Sequence, residues 1–136
     1  MRKVVVTGLG LLTSIGNNKN STWKNLIDCK SGIKKIDHFD TEGLVCKIAG
    51  HISHEKNNPF YYDRTLDLEI KDIKRNDRFI QYGIVAAKMA VEDAGIQDLG
   101  EEDKLHTGVI VGSGIGGLET IYNGSLTIQN SGPRKL

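Results

Sequence analysis

The chain is short of three things at once: thiols, long apolar runs, and an excess of charge of either sign. Its 136 residues hold two cysteines, Cys29 and Cys46, which is no disulfide framework and points to a reducing cytoplasm. No stretch approaches the ~20 apolar residues needed to cross a bilayer, and the run after Arg2 and Lys3 is too short for a signal peptide. Basic and acidic side chains nearly cancel, at 18 against 17. The net charge of +1 removes any bulk attraction to nucleic acid or an anionic membrane, so a charged partner has to be met by a local patch. Internal repeats and low-complexity linkers are missing too, which sets aside solenoids and tethers.

What is present suits one folded domain: 38% hydrophobic and 26% charged residues, in a chain long enough to bury a core. Residues 2–8, with Val4-Val5-Val6 bounded by Gly8, predict a buried strand. A helix capped by Asn20 or Ser21 follows, over 22–29, with Trp23, Leu26 and Ile27 on one face. After a poorly periodic stretch broken by LVCKIAGHI, a short strand or hairpin arm, helical spacing resumes near Leu66. It is strongest from Asp77 to Gly95, where the glycine stops it. Thr107 to Val111 predicts a second core strand, and a short helix is expected from Gly117. The order implies an α/β fold with a sheet at least partly parallel. Two core strands are few for such a fold, which suggests part of something larger.

Glycine, with 16 residues, gathers near both ends and imitates a nucleotide site twice. Gly8 and Gly10 follow a strand, but Thr13 holds the third glycine position of G-x-G-x-x-G, the helix starts too late, and Asp28 lies at a helix end. Tight turning and close backbone packing explain these glycines better. Gly112, Gly114 and Gly117 satisfy the pattern literally, yet no second strand and acidic residue follow at the required distance. There Ile115 is the one bulky side chain among small neighbours, as befits an apolar pocket wall or an ordinary core position.

Nucleophilic chemistry finds little support. Cys29 sits at a helix C-terminus, where the dipole opposes a thiolate, and Cys46 falls in a strand-like run. Cys46, His51 and His54 make an incomplete metal set; His38 and His106 stand alone. Lys71, Lys74, Arg75 and Arg78 fall at intervals of three, one and three, which places most of them on one face if the segment from Glu69 onward is helical. They read either as a solvated face balanced by Asp72 and Asp77 or as a docking patch for an acidic or phosphorylated partner.

Six blocks in order, VVVTGLGLLTSIGN, STWKNLIDCKSGI, IDHFDT, DRFIQYGIVAAKMAVEDAGI, VGSGIGGLETI and SGPRK, resemble the N-terminal part of β-ketoacyl-acyl-carrier-protein synthases, most closely type II. The resemblance is loose only over residues 43–70. It implies an incomplete thiolase-like fold, with residues 1–136 as the N-terminal portion of a synthase domain that stops before the catalytic cysteine. In the whole family an acyl chain moves from carrier protein to that cysteine, and decarboxylation of malonyl-carrier protein then supplies the attacking carbanion, with no metal or nucleotide cofactor. The nucleophile and both histidines of the family come later than Leu136, and neither Cys29 nor Cys46 inherits that role, so no catalytic residue is assigned. Ile115 matches the isoleucine that lines and gates the acyl pocket. Lys71, Lys74 and Arg75 match the patch that docks acyl carrier protein. The expected partners are acyl- and malonyl-loaded carrier protein, a second copy in a homodimer, and a separate chain carrying the missing portion, without nucleic acid or membrane. The chain alone is expected to be inactive and marginally stable, as a cloned piece, a split gene product or a decayed frame. A non-catalytic carrier-protein-docking module is the alternative, and a nucleotide-binding oxidoreductase a distant third.

Overall fold

The computed structural model describes residues 3–53, 56–58 and 60–136. Asn18 starts the first helix. Its side-chain oxygen accepts from the Ser21 amide at 2.9 Å, while its own amide donates to Ser21 Oγ at 3.3 Å. This reciprocal box opens α1 (Lys19–Ile27). The cap expected at Asn20 or Ser21 thus falls at Asn18, because Ser21 is its partner. The buried face also differs from the expected one. Trp23, Leu26 and Ile27 are exposed, whereas Thr22 and Asn25 are buried. Asn25 donates to the Ile15 carbonyl at 2.6 Å and Thr22 meets Thr13 at 3.2 Å, so polar bonds fasten α1 to the opening turn. Cys29, just beyond Asp28, the C-cap, has a left-handed φ of 53°, a position that glycine usually fills.

Two short strands follow, β1 (Ile33–Lys35) and β2 (Ile48–Gly50), paired antiparallel with Ile33 opposite Gly50 and Lys35 opposite Ile48. The second lies inside the stretch read as a hairpin arm; its partner was not evident in the sequence. This is the one ladder among the described residues. The parallel character expected there is limited to an isolated Ser53–Tyr61 bridge. Neither described residues of 2–8 nor 107–111 enter a ladder, and Val4, Val5, Val6, Val109, Ile110 and Val111 are exposed. An apolar run becomes a strand only where a neighbour accepts its amides and carbonyls, and the described residues supply none.

The helical part holds the core. A 3₁₀ turn, Arg64–Leu66, leads to α2 (Ile70–Arg75) and then α3 (Arg78–Ala94). Gly95 ends α3 with φ 67°, as its placement predicts. Gln81, Val85 and Met89 recur every four residues on one stripe. Val85 is fully buried and packs with buried Tyr62 and Leu68, flanked by Leu12, Ile52, Ile73 and Met89. The opening glycines lie against the same helix: a Cβ on Gly8 would stand 2.3 Å from the Ala90 carbonyl oxygen, and one on Gly10 1.8 Å from that of Ala86. Their role is close backbone approach. The Leu9 amide donates to Asp93 at 3.0 Å, and Asp93 also pairs with Lys19, so a carboxylate occupies the turn that a phosphate would need.

The polar helix α4 (Glu101–Leu105) has no apolar period to announce it; Glu101, Glu102 and Asp103 sit in its first turn, where the dipole favours them. Helix α5 (Leu118–Ser131) starts at Gly117 as expected, with φ 70°. A final 3₁₀ turn, Pro133–Lys135, folds back on α5. No helix among the described residues is long and apolar enough to cross a membrane.

Candidate functional site

The helical corner is held by Gln81. This buried amide donates to the Ile73 carbonyl at 3.0 Å and the Asn76 carbonyl at 2.6 Å, and accepts from Arg64 Nη1 at 2.8 Å. One side chain thereby closes the C-terminal end of α2 against α3 and orients Arg64. Asp77, the N-cap of α3, accepts from Thr120 Oγ1 of α5 at 2.5 Å. The three helices so joined border a groove of about 530 Å³.

Its walls carry five basic side chains, Arg64, Lys74, Arg75, Arg78 and Lys135, against two acidic ones, Asp77 and Glu119. Lys74 and Arg75 are therefore brought together on its wall. Lys71 is not on the groove: it is exposed and paired with Glu69 at 2.7 Å. Two members, Arg64 and Lys135, escaped the sequence reading because they come from turns far apart in the chain, which no helical spacing connects. Local positive charge in an almost neutral chain is what favours encounter with an acidic partner.

Ile115 stands apart from this groove. Its side chain is 75% exposed, in the glycine-rich loop between residues 107–111 and α5. The loop is fixed one residue later, where a Cβ on Gly116 would lie 2.6 Å from the Phe79 ring at the start of α3. Ile115 thus projects from an anchored loop. Cys29 and Cys46 are both exposed free thiols; the first follows a helix C-terminus and the second precedes β2, so neither heads a helix.

Of the proposed metal set, His54 lies outside the described residues, and Cys46 makes a local contact with the Ile48 carbonyl. His51 gathers instead with Asp37 and with His38, which the sequence left isolated. The ring centroids of the two histidines are 5.1 Å apart, and Asp37 Oδ1 lies 2.9 Å from His51 Nε2 and 3.5 Å from His38 Nδ1. No spacing rule links 37–38 to 51; the β1–β2 pairing does.

Residues 1–135 match the family model described as the N-terminal domain of β-ketoacyl synthase, and the chain belongs to that family. It is 42% identical over 135 residues to 3-oxoacyl-[acyl-carrier-protein] synthase 2 of Vibrio cholerae, and 39% identical over 135 residues to the enzyme of the same name from Staphylococcus aureus strain COL. Each alignment takes in 99% of this chain and 31% of the relative; the chain spans about a third of their length and corresponds to an N-terminal part. Among solved structures, a chain of the ishigamide ketosynthase/chain length factor superposes with a TM-score of 0.70 at 28% identity, covering 97% of this chain and 31% of that one. The architecture is an incomplete thiolase-like α/β fold.

Proposed function

We propose that this chain forms the carrier-protein-docking face and part of the acyl-pocket wall of a type II β-ketoacyl synthase, and that it does not carry out condensation by itself. The observation that carries the reading is the convergence of Lys74 and Arg75 with Arg64, Arg78 and Lys135 on one groove. Carrier protein, which is acidic, is the partner such a surface suits. Lys71, beside it on α2, extends the basic face. Ile115, apolar and exposed on an anchored loop, supports a wall for the acyl chain.

Decarboxylative condensation needs a thiolate nucleophile and a site for the developing oxyanion. Cys29 and Cys46 lie in the wrong helical context for the first, which supports catalytic residues contributed from outside the described positions. The exposed runs Val4–Val6 and Val109–Val111 support further strands that complete the sheet, whether from the rest of the synthase or from a separate chain; a homodimer of the whole and a reducing, cytoplasmic setting belong to the same reading.

The test is titration of acyl-loaded carrier protein against the chain and against the double variant Lys74→Glu, Arg75→Glu. Saturable binding lost about tenfold or more on charge reversal is expected, since rim charges act on encounter and two are inverted; affinity unchanged by reversal overturns the docking face. Turnover of acyl- and malonyl-carrier protein by the purified chain overturns the second half of the proposal.

A further inference from the structure

We propose that Asp37, His38 and His51 form a binding site for a divalent transition-metal ion of the zinc class. One ligand atom from each lies within 4.8 Å of the others. Asp37 Oδ1 is 2.9 Å from His51 Nε2 and 3.5 Å from His38 Nδ1. Ligands bound at the usual zinc distances in a tetrahedron stand about 3.4 Å from one another, so small side-chain rotations bring all three onto one ion.

The hydrogen bonding of His51 points the same way. Its Nδ1 faces the Ala49 carbonyl oxygen at 3.3 Å, and a carbonyl only accepts, so the two are hydrogen-bonded in the tautomer that carries its proton on Nδ1. In that neutral tautomer Nε2 keeps its lone pair on the side of Asp37 Oδ1, where it can bind a metal ion. A metal ion held between Nε2 and Asp37 Oδ1, 2.9 Å apart, would take the place of the ring proton that otherwise joins them. A ring whose far N–H is held by a backbone carbonyl is the arrangement typical of a metal-bound histidine, and a ligating carboxylate is held in turn by its own partners. Here Ser53 Oγ donates to Asp37 Oδ2 at 3.3 Å.

The scaffold is local and ordered. Strand β1 leads directly to Asp37 and His38, β2 leads to His51, and the Ile36 amide donates to the Lys47 carbonyl at 3.0 Å beyond the ladder. Two imidazoles and one carboxylate select zinc, cobalt, nickel or copper over magnesium and calcium, which prefer oxygen ligands. The described residues supply three ligands. Lys34 and Lys35 border a cavity with Asp37, and their charge moderates the affinity without providing a ligand.

The experiment is titration of the untagged, chelator-treated full chain with Co²⁺, followed by visible absorption, and then displacement by Zn²⁺. Expected is saturation at one ion per chain with a d–d spectrum of low coordination number, erased stoichiometrically by Zn²⁺. His38→Gln and His51→Gln should each weaken binding by about tenfold or more, while Cys46→Ser and His106→Gln leave it unchanged. Asp37→Asn, which keeps the side-chain shape, serves as the ligand variant if a histidine substitution alters the circular dichroism. Absence of saturation, or equal Co²⁺ affinity in the unaltered chain and in the ligand variants, overturns the site.

Discussion

VVVTGLG near the start and VIVGSGIGG near residue 110 are nearly the same sentence in sequence, an apolar triplet followed by alternating glycines. The structure gives them opposite demands. In the first, the glycines lie against the backbone of α3, so close that a Cβ on Gly10 would meet the Ala86 carbonyl oxygen at 1.8 Å. In the second, Gly112 and Gly114 have nothing within 4 Å of where a Cβ would stand, and contact begins only at Gly116. The apolar triplets themselves are exposed in both. A glycine pattern therefore does not identify its own cause: the first needs absence of volume, and the second lines a loop whose constraint lies at its end. This is why a literal match to a dinucleotide fingerprint around Gly112 was the weaker guide.

The difference is tested most severely at Gly10. Gly10→Ala places a methyl carbon inside a backbone carbonyl that is part of α3 and cannot rotate away, so the opening segment has to separate from the helix. The expected cost is about 3 kcal/mol, the upper end of ordinary overpacking, read as a fall in the denaturation midpoint by far-UV circular dichroism. An unchanged midpoint would show that the opening segment does not pack on α3 in solution.

Acid should release the first segment by a second route. Asp93 is held below the usual carboxylate value by its bond from Lys19 first, and by the Leu9 amide next. A carboxyl depressed in the folded state contributes its stabilisation above the unfolded value of 3.8, and that contribution is lost as pH falls through the lower folded value. The Leu9 amide resonance is expected to shift with a midpoint below 3.8 and to lose this transition in Asp93→Asn. A Leu9 resonance that stays fixed through acidification breaks the proposed tether.

How much of this was legible in the sequence depends on whether an element carries its own partners. Helix α3 was read to within a residue at its start because apolar residues from Phe79 to Val91, Ile80 and Ile84 among them, recur at helical spacing, and because Gly95 can take the left-handed turn that ends it. The valine runs were read as strands, but a strand's hydrogen bonds belong to its neighbours, so an apolar run states a capacity only. Helix α4 was missed because acidic residues near a helix start stabilise it without any apolar period. At the site, Lys74 and Arg75 were legible as neighbours on one helix, whereas Arg64 and Lys135 join them only through folding. The same holds for His51 and Asp37, which strand pairing unites across fourteen residues.

The smallest effect is expected at Gly112, and it is the sharpest test of the comparison because its sign is opposite. Its φ lies outside the left-handed region, and the space around it is open, so an alanine there meets no neighbour and demands no strained backbone. Alanine also has fewer unfolded conformations to lose than glycine, which is worth about 0.4–1 kcal/mol of stabilisation where the native conformation is compatible. Gly112→Ala should therefore raise the denaturation midpoint slightly while Gly10→Ala lowers it strongly, although both residues belong to the same G-x-G pattern after an apolar triplet. A loss at Gly112 comparable to that at Gly10 would mean that the second loop is also packed against a surface, and that its glycines answer to the same close approach as the first.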